Sequence, residues 1–356
     1  MASGAAERPD QPVIQGMLQR RISVAPMMAW TDRHCRYFLR GFSPQVLLYS
    51  EMITAAAIEH GDRARLLRFS PEERPLALQL GGNEPALLVA AARAGADAGY
   101  DEINLNCGCP SDRVHAGAFG ACLMRTPERV AECVAAMRAA VPLPVTVKMR
   151  IGVLGAGDRR AQVTAFDEPD YERLRHFTAT VAAAGCGHFI VHARKAVLGG
   201  LSPRQNREVP PLRYDVVQRL RREFAALWIG VNGGLRTAEQ STEALGWADG
   251  VMLGREAYHR PAVLAELHQR VFADGWQPPD ANALLERMAA YAEREVAAGE
   301  HAAAVTRHIL GLQAGRPGAR QFRQRVSEGA RGLGAGPAAA AGVRRLLREA
   351  GERLAA

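Results

Sequence analysis

Several things are scarce in this sequence, and most of these scarcities remove a class of protein. No run of about eighteen apolar residues occurs, which removes a membrane-spanning helix. The opening stretch, MASGAAERPDQPVIQG, lacks a basic start followed by an apolar segment, so no secretory signal is expected and the chain is read as cytoplasmic. Cysteine is limited to six residues in 356, without a disulfide-like framework, which agrees with a reducing compartment. Neither a Cys-x-x-Cys motif nor a second cysteine pair is present to complete a four-ligand metal centre, so no metal site is expected. Lysine is scarce too, at Lys148 and Lys195 only, yet the formal charge is +8. Arginine carries that excess, and it favours a polyanionic partner over the alternative of an arginine-rich solvated surface.

What is present is an eightfold alternation. Short apolar or alternating runs occur at Ile22 to Met27, Leu47 to Ile53, Leu76 to Leu80, Glu102 to Cys107, Val145 to Met149, His188 to His192, Trp228 to Val231 and Gly250 to Leu253. Helical patterns separate most of them, several opening on Asp, Thr or Pro as helix starts should. Eight such repeats indicate an α/β fold, a (β/α)8 or TIM barrel, with an open doubly wound sheet as the alternative. Past Pro261 only helical patterns remain, at Ala262 to Phe272, Ala281 to Ala298, roughly Ala302 to Leu312 and Ala338 to Leu354. The expected organisation is a disordered tail over 1–20, a barrel over 21–260 and a small all-helical domain over 261–356. A Gly/Ala-rich connector is expected near 332–342.

In a barrel the reactive side chains stand at the C-terminal ends of the strands. The fourth run ends NCGCP, so Cys109 sits at a strand tip on a turn made by Gly108 and Pro110, partly exposed. Cys35, Cys122, Cys133 and Cys186 read instead as core filler. The seventh and eighth runs end NGG and GRE. There Gly233 and Gly234 let backbone N–H groups approach an anion and Arg255 can neutralise it, which implies a phosphorylated cofactor. Gln79, Lys148 and His192 project toward the same mouth and suit the pyrimidine edge of a flavin, with a positive charge for its reduced anion. A lysine paired with a barrel carboxylate such as Glu51 or Glu102 is the structural alternative.

These motifs resemble a known family. VAPMMAWTDRHCRYFLR, ALQLGG, YDEINLNCGCPSDRVHAGAFGACLM, PVTVKMRIG, VHARKAVLGGLSPRQNREVPPL, VNGG, DGVMLGREAY and VTRHILGLQAGRPGARQFR are similar to the tRNA-dihydrouridine synthases of the A-type bacterial subfamily, over roughly residues 20 to 330. The resemblance implies FMN-dependent reduction of a D-loop uridine in tRNA, with NADPH or NADH as reductant. By resemblance Cys109 is the active-site cysteine. Pro26, Met27, Met28, Gln79, Lys148, His192, Asn232, Gly233, Gly234, Gly254 and Arg255 match flavin-binding positions. Asn106, Arg204, Arg207, Arg320 and Arg323 match tRNA-contacting positions. Three departures stand out: Ala29 where aspartate is usual, Cys107 where an aliphatic residue is usual, and a stretch from Val153 to Pro169 that reads as an inserted mobile polar loop.

Uracil's 5,6 double bond takes a hydride at C6, for which reduced FMN is the expected source, and then a proton at C5. An ordinary thiol is largely protonated at neutral pH, so Cys109 is suited to give that proton. The base must be swung out of the RNA at a cost of roughly a few kcal/mol, offset by phosphate contacts elsewhere. Between Arg307 and Arg331 six arginines stand against one acid, Glu328, and this segment is read as supplying those contacts. A monomer is expected. Two alternatives remain open at this point: a small-molecule flavin reductase of the dihydroorotate or dihydropyrimidine type, and a non-catalytic RNA-binding barrel.

Overall fold

The computed structural model describes residues 20–111, 117–155 and 160–355; apart from Arg20, the tail read at 1–20 lies outside the described residues. Eight parallel strands form one sheet: β1 Ile22–Val24, β2 Leu48–Tyr49, β3 Leu76–Gly81, β4 Glu102–Cys107, β5 Val145–Arg150, β6 His188–His192, β7 Trp228–Asn232 and β8 Gly250–Leu253. Each pairs with its sequence neighbour, and β8 pairs with β1 in the register Ile22 to Val251. The ring closes beside β2, where Val24 N donates to Leu47 O at 3.0 Å and Leu47 N donates to Ile22 O at 3.1 Å. The architecture is the expected barrel, and closure excludes the open sheet.

Alternation along each strand sorts the side chains into two sets. Ile103, Leu105 and Cys107 of β4, Val147 and Met149 of β5, and Phe189 and Val191 of β6 join the large core between strands and helices. The opposite set faces the lumen. Leu47, Tyr49, Ala77, Ile190 and Met252 pack there as a small inner cluster with Ala25. Glycines at 230 and 250 make room for the Trp228 ring at one end, since a Cβ at either position would come within 2.6 Å of it.

The helices begin where their caps predict. Asp32 accepts from the N–H groups of His34 and Cys35 at 3.0 Å, Thr237 from Gln240 and Asp167 from Asp170. Each side-chain oxygen satisfies a backbone donor that the first helical turn leaves without a partner.

Four details differ from the expectation. The second run is broken into Leu48–Tyr49 and Ile53–Thr54, because the Ser50 hydroxyl replaces a backbone partner and accepts from Gln79 N at 2.9 Å. The helix expected at 302–312 stops at Thr306 and continues as a 3-10 turn, Ile309–Gly311. The arginine-rich segment contains a helix of its own, Ala319–Arg331, and the connector read at 332–342 is mostly helix, since Pro337 at the first turn opens Pro337–Ala355. The stretch from Val153 is also partly built. Val153–Leu154 pairs with Ala196–Val197, and Arg160–Thr164 is helical, while Gly157, Asp158 and Arg159 lie outside the described residues.

The helix Ala262–Val271 packs on the barrel helix Ala238–Leu245. The C-terminal bundle proper is made by the helices from Ala281 onward, with Ala281–Ala297 laid along Pro337–Ala355. Among the described residues no helix is long and apolar enough to cross a membrane.

Candidate active site

The C-terminal strand ends converge on one mouth. Strand β4 ends at Cys107, whose side chain points outward into the core and is 0% exposed. Two residues on, Cys109 has left the strand, is partly exposed, and its Sγ lies 3.5 Å from Ser111 Oγ. The turn between them is held from the lumen, because Asn106 Oδ1 accepts from Gly108 N at 3.0 Å and from Cys109 N at 2.9 Å. A side-chain oxygen receiving two successive N–H groups fixes the backbone that carries the thiol.

Two successive inward positions of β5 are cations. Lys148 Nζ donates to Asn232 Oδ1 at 3.2 Å, and burial, with Arg150 close by, pushes its pKa down to about 7. Arg150 is buried and, among the described residues, bonds carbonyls: Gly108 O at 3.1 Å, Lys195 O at 3.2 Å and Asn206 O at 3.0 Å. Burial lowers it to about 9. Both cations lie within electrostatic reach of Cys109. His192, at the end of β6, is driven well below its ordinary range by burial and by the positive charge of Arg150 and Lys148, so its imidazole is neutral.

Loops after β7 and β8 complete the mouth. Gly233 and Gly234 have φ of 109° and 74°, a region that favours glycine. A Cβ on Gly233 would stand 2.6 Å from the His192 ring, and one on Gly234 would stand 2.3 Å from Leu212. Asn232 Nδ2 donates to Met252 O at 2.7 Å, which points its oxygen at Lys148. Gly254 is different, because a Cβ there would meet only Met27 and Ala25, both at ordinary contact distance. Pro26 and Met27 enter a tight turn in which Met27 O accepts from Trp30 N and Thr31 N; Met28, at its tip, is 62% exposed. Ala29 follows with a φ of 62°, its N–H held by the Glu51 carboxylate.

Arg255 pairs with Glu208 at 3.0 Å, and Arg204 approaches the same carboxylate at 3.5 Å. Burial lowers the pKa of Arg194 and Arg207, and the nearby charge of Arg255 lowers both further. Four arginines thus surround one acid. Arg204 and Arg207 belong to the mouth, whereas Arg320 and Arg323 lie on the exposed face of Ala319–Arg331 in the C-terminal bundle.

The sequence reading missed Arg150, Arg194, Asn206 and Glu208. Arg150 was legible, since it stands two residues after Lys148 in a strand and must share its face. Asn206 was not. It is buried and ties the loop after β6 by bonding Val197 N and O and Leu201 O, contacts that no local pattern announces.

The match to known proteins now has a place to act. The dihydrouridine synthase (Dus) family model matches residues 23–339. The chain belongs to that family. It is 54% identical to the tRNA-dihydrouridine(20/20a) synthase of Pseudomonas syringae pv. tomato, covering 87% of this chain and 89% of that protein. Identity to the protein of the same name from Pseudomonas aeruginosa is 52%, over 90% and 93% of the two chains. The Vibrio cholerae protein of that name is 51% identical over 89% and 93%. A dihydrouridine synthase barrel therefore carries Cys109 at its mouth.

Proposed function

We propose that this dihydrouridine synthase reduces a uridine of tRNA to 5,6-dihydrouridine, at position 20 or 20a as in its relatives' names, with Cys109 as the proton donor. The observation that carries the reading is the Cys109 thiol, held by Asn106 at the mouth beside Lys148 and Arg150, in a chain about half identical to enzymes of that name.

The donor set fits a flavin mononucleotide. Lys148 is a half-buried cation that meets no carboxylate among the described residues, Gln79 and Asn106 face the mouth with amide capacity to spare, and a Cβ on Gly254 would meet only ordinary contacts with Met27 and Ala25. Pro26, Met27 and Met28 would flank the ring; Gln79, Lys148, His192 and Asn232 would meet its polar edge. Gly233, Gly234, Gly254 and Arg255 would receive the phosphate. Bound there, FMN supplies a hydride, replenished by NADPH or NADH.

The chain's own residues do the rest. Cys109 holds a proton at Sγ for C5 of the base, while Asn106 fixes the turn and Arg150 clamps the carbonyl of Gly108 from the other side. Neutral His192 can accept or donate one hydrogen bond without adding charge. Arg204 and Arg207 meet RNA at the mouth, and the module over 261–356, through Arg320 and Arg323, holds the phosphate backbone. A cytoplasmic monomer completes the reading.

The test is tRNA lacking dihydrouridine, incubated with the flavin-loaded enzyme and NADPH and analysed by nucleoside mass spectrometry. Appearance of dihydrouridine at 20 or 20a is expected. A flavin-loaded enzyme that reduces dihydroorotate-type small molecules but no tRNA uridine overturns the proposal.

A further inference from the structure

A single file of hydrogen bonds runs up the barrel lumen from its floor to the Cys109 turn. At the floor, Glu102 accepts from Arg20 Nε at 2.8 Å through one oxygen, and from Tyr49 OH at 2.7 Å and Thr146 Oγ1 at 2.6 Å through the other. Thr146 Oγ1 accepts from Asn104 Nδ2 at 2.8 Å, Asn104 Oδ1 from Gln79 Nε2 at 2.8 Å, and Gln79 Oε1 from Asn106 Nδ2 at 2.8 Å. Asn106 Oδ1 then takes the N–H groups of Gly108 and Cys109. Glu102, Thr146 and Asn104 are all fully buried.

We propose that Glu102 is a positioning residue for Cys109, acting through this file. A chain of amides can run either way, because each amide has a donor end and an acceptor end of the same size. An ionised carboxylate only accepts. It therefore obliges Thr146 to donate downward, Asn104 to donate to Thr146, and so on, until the last free group at the top is an oxygen. The two backbone N–H groups of the turn require that oxygen. Reversal would set Asn106 Nδ2 against two donors and release the turn. Floor and mouth make the same demand of every amide between them.

Three variants test this. Thr146→Val keeps the volume and removes the relay hydroxyl, Glu102→Gln gives the floor a donor end, and Thr146→Ser keeps the hydroxyl. Hydrogen exchange by mass spectrometry on the peptide over residues 106–110 reads the turn directly. Loss of one hydrogen bond at each amide should speed exchange by about 2- to 12-fold in Thr146→Val and Glu102→Gln. Leu78 and Leu80 in β3 serve as reference amides and should not change. Thr146→Ser should return exchange to the wild-type rate.

On the reaction proposed above, Thr146→Val should lower kcat and leave KM for tRNA unchanged. The exchange measurement needs neither cofactor nor substrate, so it can fail or succeed independently of that reaction. Wild-type exchange at the turn in folded Thr146→Val overturns the proposal. So does equal acceleration at Leu78 and Leu80, which is general loosening, or a Thr146→Ser protein as disturbed as Thr146→Val.

Discussion

Lys148 Nζ and Asn232 Oδ1 meet across the barrel mouth at 3.2 Å, and among the described residues no carboxylate comes within ion-pairing distance of that lysine. Glu51 and Glu102, the acids that could have neutralised it, are engaged elsewhere, with Ala29 N and with Arg20, Tyr49 and Thr146. A half-buried cation whose partner among the described residues is an amide oxygen keeps charge that a bound anion would offset.

That arrangement has a pH signature. With its pKa lowered from 10.5 to about 7, Lys148 binds a proton less readily in the folded chain than in the unfolded one. Its cost to stability is absent above the unfolded pKa, grows as pH falls toward about 7, and is complete below that. Lys148→Met should therefore melt higher than wild type at pH 6 to 7 in the absence of flavin, by roughly 1–3 kcal/mol. The advantage should shrink toward pH 10, and a melting series across that range checks it.

Cys109 and Cys107 should separate cleanly. Cys109→Ala is expected to retain flavin but lose uridine reduction by about 10²–10⁴-fold, the scale of one general acid. Cys107→Val should stay within a few-fold of wild type, because its thiol is on the outer face of β4. Single-turnover kinetics on tRNA compare the two, and comparable losses would reject the assignment.

Glu208 competes for Arg255. Arg255→Ala should lose flavin on dialysis. Glu208→Gln should bind FMN more tightly, by about 2- to 5-fold, since it frees the guanidinium from a half-exposed ion pair. Fluorescence titration with FMN measures both, and riboflavin, which has no phosphate, should show neither effect.

Arg320 and Arg323 should act through the RNA alone. Changing both to alanine should weaken tRNA binding and reduce the slope of log affinity against log salt by somewhat under ~1 unit per lost contact. NADPH oxidation with a quinone acceptor should be unchanged, a comparison that separates binding from chemistry.

Asp32 links the barrel to the C-terminal bundle. Its Oδ1 caps Arg33–Leu39, while its Oδ2 bonds His308 Nε2 at 2.9 Å and Arg307 Nη2 at 2.6 Å. Burial opposes its charge, but these donors outweigh that and hold the carboxyl well below its usual range. Stability from Asp32 is then present above its unfolded pKa near 3.8 and lost as pH falls below that. Asp32→Ala should cost about 1–3 kcal/mol in urea denaturation at pH 7.

The sequence by itself determined the barrel, because strand and helix periods are local properties and eight alternations leave few ways to pack. It also determined which residues reach the mouth, since a strand end is marked by the Gly and Pro that follow it; Cys109, Gly233 and Gly234 were legible for that reason. Strand alternation likewise made Gln79, Lys148 and His192 legible, whereas the partners each of them meets were not. Whether Lys148 met an acid or an amide depended on which strands are neighbours and on their register, and β5 turned out to face Asn232 of β7 across the lumen. The file from Glu102 to Cys109 joins four strands and the turn after β4, and its direction is set by partners 25 to 82 residues apart in the chain. Hydrogen bonds are satisfied in space and not along the sequence, so only the tertiary structure could decide what each polar side chain in that lumen does.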